Sequence, residues 1–324
     1  MEPERWNSPG TPSPSSAFGA LTPSPNFAGI GNAELGLGVP RGAGKQRVLW
    51  ALSLLGVPSV LWVLSAFAQE KNLKELQKGK NFIETRVYSV EEDARILKLY
   101  DGLRVADVSD GMDMAGLPGT GLVDPAIHPD WVDQKNLSHQ FRGIAVTVRY
   151  VPTQRPDRPK PGEQFGEWEG RFYNLYSHEA FADLIRPGSV VVIDDVDGKD
   201  IGTIGSYNIL HWKGLGAVGV VTDATARDTD EIAIERVPLY LRAKGRGIRP
   251  GRNELESVNR PVTIGGVLVC PGDIVVGDSD GVIVVPRVYA EQVAGFARVV
   301  LGNDKSARKG LYERLGVPMD QTVR

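Results

Sequence analysis

Cysteine is nearly absent from this chain: its 324 residues include one, Cys270. No intrachain disulfide can form, so a disulfide-braced scaffold is excluded, while the compartment stays open. Histidine is scarce as well, with four residues. His128, His139, His178 and His211 are scattered and form no HxxxH pair, so no helical histidine metal site is written here. Surface or packing roles are expected for all four, with His211 held in reserve because it falls beside the candidate site below. There is no excess of positive charge, since 37 basic side chains face 40 acidic ones. That balance leaves no electrostatic footprint for nucleic acid, and no nucleic-acid partner is expected. No internal repeat is visible.

What is present is an ordinary globular composition, 41% hydrophobic and 24% charged, preceded by something different. Residues 1–44 are rich in Gly, Pro, Ser, Ala and Asn and show neither helical nor strand periodicity. They read as a disordered extension. Lys45 and Arg47 then flank an uncharged apolar run, Val48 to Leu64, followed by the small residues Ala66 and Ala68. Basic flank, apolar core and small-residue site are the parts of a secretory signal over 45–68, cleaved after Ala68. The expected location is therefore secreted or periplasmic. The run is long for a signal core, so an uncleaved membrane anchor stays open. A signal belongs near a chain start, which suggests initiation at Val39 rather than Met1. Residues 69–324 then form the mature chain, enough for one large domain or two small ones.

Within it, residues 69–81 are polar and read as a helical lead-in. Ser89 to Leu103 reads as a helix, with a Ser89–Glu92 capping box and a stripe of Ile96, Leu97, Leu99 and Tyr100. Val105 to Ala115 predicts a second short helix, and Ile144 to Val151 alternates like a strand. Pro152 to Gly170 is Pro-, Gly- and charge-rich and reads as a loop. Trp168 and Tyr173, which follow its prolines, suit either a packed loop or a substrate lid. A helix is expected over Ser177 to Ile185, stopped by Pro187-Gly188. "SVVVI" (189–193) and "AVGVV" (217–221) are continuous apolar runs, hence buried strands. A helix over Ser206 to Lys213, ended by Gly214 or Gly216, lies between them, which makes a βαβ unit. Further strands are expected at Leu239–Leu241, Val262–Cys270, Ile274–Val276 and Val282–Val285. A C-terminal helix is expected over Tyr289–Leu315, with a break near Gly302. Cys270, at a strand end, reads as buried and inert.

In parallel α/β units ligands bind at the carboxyl ends of the strands. Two polar stretches converge there, "DDVDGKDIGTIGS" and "DATARD". The start of the 206–213 helix offers unpaired N–H groups that suit a carboxylate, and Gly205 allows close approach. Arg227 can grip two oxygens with its planar fork, and Asp228 is a hard oxygen ligand for Mg²⁺ or Mn²⁺. A surface ion pair or helix cap would explain the same Arg-Asp pair, with Asp230 and Glu231 as first-turn acids. "DVDGKD" and "DSDG" lack the spaced ligands of calcium loops and read as turns.

The stretch "RPGSVVVIDD…GTIGSYNILHWKGLGAVGVVTDATARDTDEI", with "CPGDIVVGDSDGVIVVP", "LRVADVSDGMDMAG" and "FRGIAVTVRYV", resembles the RraA-like superfamily. That group holds 4-hydroxy-4-methyl-2-oxoglutarate aldolases, also called class II pyruvate aldolases, and regulators of RNase E activity. The resemblance runs from about Val90 to Val285. It implies an α/β fold resembling the swivelling phosphohistidine domain, with a central sheet, a βαβ unit and flanking helices. It implies a homotrimer or higher homo-oligomer with sites at subunit interfaces. It also implies a divalent-metal-dependent lyase, an aldolase or oxaloacetate decarboxylase acting on a small 2-oxo acid through a pyruvate enolate. By the same resemblance Arg227 contacts substrate oxygens, Asp228 holds Mg²⁺ or Mn²⁺, and Gly205, Ser206, Tyr207 and Asn208 bind substrate through backbone amides. Two positions depart from the pattern. Ser206 replaces an Asp that orients a water for proton transfer, and Ala224 replaces a frequent Gly. Ser206 can cap a helix but cannot act as a carboxylate base, which touches retro-aldol cleavage more than decarboxylation. A non-catalytic, exported binding or regulatory protein of the same group is the alternative.

Overall fold

The structure, a computed structural model, describes residues 73–79, 82–155, 158–195 and 200–324. The expected extension (1–44) and signal segment (45–68) lie outside the described residues. No described helix is long and apolar enough to cross a membrane.

Local chemistry explains the first elements. A short helix, α1 (Leu73–Gln77), precedes α2 (Val90–Tyr100). Ser89 Oγ accepts from the Glu92 N–H at 3.1 Å, and the Ser89 N–H donates to Glu92 Oε2 at 2.8 Å. This is the expected capping box, which satisfies two donors left over at a helix start. In α3 (Val105–Met114) the Val105 N–H is taken by Asp278 Oδ2 at 2.8 Å. Next come β1 (His128–Pro129) and the long β2 (Phe141–Pro152).

The following segment corrects the sequence reading. A helix, α4 (Phe165–Tyr176), occupies part of the expected loop, and Ser177–Ile185 holds only a 3₁₀ turn at Ala182–Leu184. The last proline of the loop is Pro161. Beyond it Trp168 and Phe172, four residues apart, bury one helical face, which outweighs the cost of Gly166 and Gly170.

The βαβ unit follows as expected: β3 (Ser189–Asp194), α5 (Ser206–Leu215) and β4 (Ala217–Thr222). Gly216 ends α5 in the left-handed conformation, φ 114°. After β5 (Thr225–Ala226) and α6 (Thr229–Ile234) come β6 (Leu239–Leu241), β7 (Ala243–Lys244) and β8 (Asn253–Val258). The strand expected over Val262–Cys270 is a hairpin, β9 (Val262–Ile264) and β10 (Val267–Val269). Gly265 and Gly266 both have positive φ, as a two-residue hairpin turn requires. The chain closes with β11 (Ile274–Asp278), β12 (Gly281–Val285) and α7 (Ala290–Leu315), which continues through Gly302 without a break.

Eight strands form one mixed sheet in the order β1-β6-β4-β3-β2-β11-β12, with β8 also pairing β2. β2 is long enough to serve two neighbours on one side: β11 along Phe141–Ile144 and β8 along Val148–Pro152. β2, β3, β4 and β6 run parallel. Both faces of β3 are buried, as its unbroken apolar run requires. Val191 and Ile193 join one cluster with Ile204, Ile209 and Trp212. Val190 and Val192 join another with Phe141 and Tyr240. A third cluster packs α2, α3 and α7 over β11 and β12. This is the α/β fold with flanking helices that the sequence predicts.

Candidate functional site

Because β3 and β4 are parallel neighbours, the segments leaving them emerge on the same edge. The chain after β4 then turns back beside the one leading into α5. Ile204 and Ala226 form a parallel bridge, and the Arg227 N–H donates to Ile204 O at 2.8 Å. This places Arg227 and Asp228 against the Gly205 turn, although 22 residues separate Ser206 from Asp228.

Two glycines make the approach possible. A Cβ on Gly202 would lie 2.6 Å from Arg227 Cβ and 2.9 Å from its Cδ, so the aliphatic stem of Arg227 rests on bare backbone. A Cβ on Gly205 would lie 2.8 Å from Asp228 Oδ2, 3.5 Å from Asn208 Oδ1 and 3.7 Å from Arg227 Nε. Three polar side chains thus converge on the bare backbone of Gly205, at the place a Cβ would occupy.

Asp228 is held in an unusual way. It is the N-cap residue of α6, yet its backbone is left-handed (φ 58°, ψ 35°) and its side chain makes no cap hydrogen bond. Asp tolerates that conformation better than most residues, at a modest cost. Its Oδ2 turns to the start of α5 and receives the Ser206 N–H at a long 3.4 Å. Arg227 Nε stands 3.7 Å from the same oxygen, with side chains 34% and 41% exposed. That is an ion pair without a hydrogen bond, so both groups keep bonding capacity. The N–H groups at the start of α5 add partial positive charge on the same side.

The other expected residues divide. Ser206 is the first helical residue, with Gly205 as N-cap, so Ser206 does not cap α5. Tyr207 is 82% exposed and projects outward, so only its backbone can serve the turn. Asn208 is half-buried and gives its Nδ2 to Glu179 Oε1 at 2.7 Å. His211 is exposed on α5, and His139 is a packing residue bonded to Ser279 Oγ at 2.9 Å. Trp168 is buried against Phe165 and Phe172 within α4, and Tyr173 stacks on Arg249, so neither is a lid. Cys270 is half-buried, with its thiol pKa raised by burial. Asp230 and Glu231 occupy the first turn of α6. In "DSDG", Asp278 Oδ1 accepts from the Asp280 N–H at 2.9 Å, a turn contact as expected. Most of "DVDGKD" lies outside the described residues.

The sequence gives no sign of the polar layer beneath the turn. Asn253 Nδ2 donates to Asp195 Oδ1 at 2.8 Å and to Thr203 Oγ1 at 3.1 Å, and the Thr203 hydroxyl donates to Asp195. All three are buried and anchor the segment that enters Gly205. Asp223, which follows β4, accepts the Asp195 N–H at 3.3 Å. Burial, assisted by Asp194, pushes the Asp223 carboxyl up to about 6. Asn253 comes from β8, a polar strand distant in sequence, so no local pattern points to it.

The donor set suits a hard cation held lightly. Among the described residues no group of three or more His, Cys, Asp or Glu is placed to cage a metal ion. Mg²⁺ is commonly held through one or two carboxylates and waters, and Asp228 Oδ2 provides an oxygen of that kind.

A family model described as RraA-like (Aldolase/RraA) matches residues 105–284. A protein of Halalkalibacterium halodurans named "Putative 4-hydroxy-4-methyl-2-oxoglutarate aldolase" is 30% identical over 130 residues, 40% of this chain and 61% of its own length. The chain therefore spans less than two thirds of that relative. A crystal structure of an uncharacterized protein from Pseudomonas syringae pv. tomato is 26% identical with a TM-score of 0.53, covering 71% of this chain and 98% of that one. Streptomyces coelicolor RraAS2, an unusual member of the RNase ES inhibitor RraA protein family, is 20% identical with a TM-score of 0.55. That alignment covers 67% of this chain and 98% of RraAS2, and it is a likeness of fold.

Proposed function

The chain belongs to the RraA-like family, and from that premise we propose that it is a divalent-metal-dependent lyase acting on a small 2-oxo (di)carboxylic acid. The observation that carries this reading is the convergence of Asp228 Oδ2, Asn208 Oδ1 and Arg227 Nε on the Gly205 turn. Gly205 is the N-cap of α5, so the start of that helix lies beside them.

Each group has a task. The backbone N–H groups of Ser206 and Tyr207 receive the substrate carboxylate at the positive end of α5. Arg227 binds the oxygens that gain negative charge as the carbon–carbon bond breaks and the pyruvate enolate forms. Asp228 holds Mg²⁺ or Mn²⁺. When bound, the cation supplies Lewis-acid polarisation of the 2-oxo oxygen. In the retro-aldol direction the C3–C4 electron pair enters the enolate and C3 is then protonated. In oxaloacetate decarboxylation the pair comes from the bond to the departing carboxylate. The site is open to solvent in a single protomer, in keeping with closure by a neighbouring subunit of a homotrimer or higher homo-oligomer. Export after cleavage following Ala68 is part of the same proposal, and N-terminal sequencing of secreted protein tests it.

Ser206 favours a second reading, an exported RraA-like binding or regulatory protein without turnover, because no carboxylate stands at that position. One assay separates the two. Pyruvate release is followed from oxaloacetate and from 4-hydroxy-4-methyl-2-oxoglutarate, with Mg²⁺, with Mn²⁺ and with chelator. The lyase releases pyruvate only with metal. Oxalate binding without pyruvate from either acid supports the binder.

A further inference from the structure

Asn208 has more structure behind it than a surface amide needs. A carboxylate oxygen accepts hydrogen bonds and cannot donate them, so the contact with Glu179 fixes which way the amide faces. Nδ2 points to Glu179 Oε1 at 2.7 Å, and Oδ1 is left toward the Gly205 turn, 3.5 Å from where a Cβ of Gly205 would lie. Among the described residues that oxygen has no hydrogen-bond partner.

Glu179 is itself clamped. Its Oε1 also accepts from Arg249 Nη2 at 2.6 Å, and its Oε2 accepts from Trp212 Nε1 at 2.9 Å. Arg249 is 3% exposed and lies over the rings of Tyr150 and Tyr173, 5.2 and 5.0 Å from their centroids. Its Nη1 donates to the Tyr150 hydroxyl. For Glu179 to turn away, a buried guanidinium would have to lose its counter-charge, which is strongly unfavourable. A deep ion pair thus aims a single amide oxygen at the site.

We infer that Asn208 is a catalytic residue whose Oδ1 accepts a hydrogen bond from the water that carries the proton in retro-aldol cleavage, and that Glu179 is the positioning residue that aims it. This rests on the lyase reading above. An amide oxygen is no base, so it orients the water and keeps no proton. As the C3–C4 bond breaks, the proton of the C4 hydroxyl passes to water, and water returns one proton to C3 of the enolate. Substrate and products then balance with no other reactant. The arrangement places an acceptor in the same helical turn as Ser206, which has no carboxylate to orient the water.

The test uses the full chain with Mg²⁺. Asn208→Leu is close in size and leaves Glu179 its contacts with Arg249 and Trp212. Its kcat on 4-hydroxy-4-methyl-2-oxoglutarate is expected to fall about tenfold or more, the scale of a lost proton-transfer contact. KM and oxalate affinity are expected to stay within about threefold, because ground-state binding is untouched. Oxaloacetate decarboxylation, which removes no hydroxyl proton, should fall less. Glu179→Gln should show the same kcat loss, and the double variant should be no slower than the slower single. If Glu179→Gln does not fold, Asn208→Leu decides alone. Wild-type kcat in Asn208→Leu, or losses that multiply in the double variant, overturns the inference and leaves the lyase standing. A wild-type protein that releases no pyruvate from either acid overturns both, whether or not it binds oxalate.

Discussion

Two Arg–Asp clusters sit at different places in this fold, and they are built in opposite ways. In the first, Asp93 of α2 is buried and receives Arg287 Nη1 at 2.7 Å and the Arg186 guanidinium. Arg287 also donates to Gly272 O at 3.2 Å and lies 4.2 Å from the Tyr88 ring centroid. In the second, Arg227 and Asp228 stand 3.7 Å apart, partly exposed, and the carboxylate's one hydrogen bond is long. The chemistry of the side chains is the same. The first cluster has used its bonding capacity on itself and ties α2 to the segments before β3 and α7. The second keeps its capacity for something from outside. Unspent valence beside a helix start, more than the presence of charge, distinguishes the proposed binding edge.

The comparison breaks first if the closed cluster proves dispensable. Asp93→Ala leaves two guanidinia without their carboxylate, and urea unfolding should report a loss of about 3–5 kcal/mol. Arg227→Ala, at the open pair, should cost less than about 1 kcal/mol by the same measurement. That variant should instead lower kcat/KM for 2-oxo acids about a hundredfold or more, the scale of a removed oxyanion partner. Equal stability losses at the two sites would erase the distinction.

A smaller effect sharpens it. Gly205→Ala puts a methyl group 2.8 Å from Asp228 Oδ2, into the shared volume. Calorimetry should show oxalate affinity lowered about tenfold or more in Mg²⁺. Helix formation is not compromised, since Ala at an N-cap costs about 1 kcal/mol or less relative to Gly.

Proton linkage gives the next effect. The Asp223 carboxyl is raised by burial to about 6, above its unfolded value. The folded state therefore binds the extra proton, and stability from this group is present below about pH 4 and is lost as pH rises to about 6. Asp223→Asn removes that loss, while its amide oxygen can still accept the Asp195 N–H. The variant should gain on the wild type between pH 4 and pH 6, by on the order of 1–3 kcal/mol in urea titrations, and hold the gain to pH 8. A constant difference across that range contradicts the assignment. The smallest effect is at Ser206, whose hydroxyl has no hydrogen-bond partner among the described residues. Ser206→Ala should change stability by about 0.5 kcal/mol or less.

Much of the fold was legible in sequence, for identifiable reasons. The Ser89–Glu92 box, the apolar runs at 189–193 and 217–221, and Gly216 at a helix end are local signals, and each holds. The failures arose where a tertiary term outweighed a local one. Prolines before Pro161 concealed the helix made by burial of Trp168 and Phe172. A run of β-branched residues concealed the reversal at Gly265-Gly266. At the site, βαβ topology was enough to bring Gly205 and Arg227-Asp228 to one edge. Glu179, Arg249 and Asn253 were invisible because their partners lie 29, 70 and 58 residues away.

The most direct test of the central claim is calorimetric titration of oxalate, a planar mimic of the enolate, into the full chain with Mg²⁺, with chelator, and with Asp228→Ala in Mg²⁺. The account requires binding to the wild type with Mg²⁺, and none with chelator or in the variant. Oxalate affinity that is the same in all three would place the ligand elsewhere and contradict the claim that Arg227, Asp228 and the start of α5 share one acid and one cation.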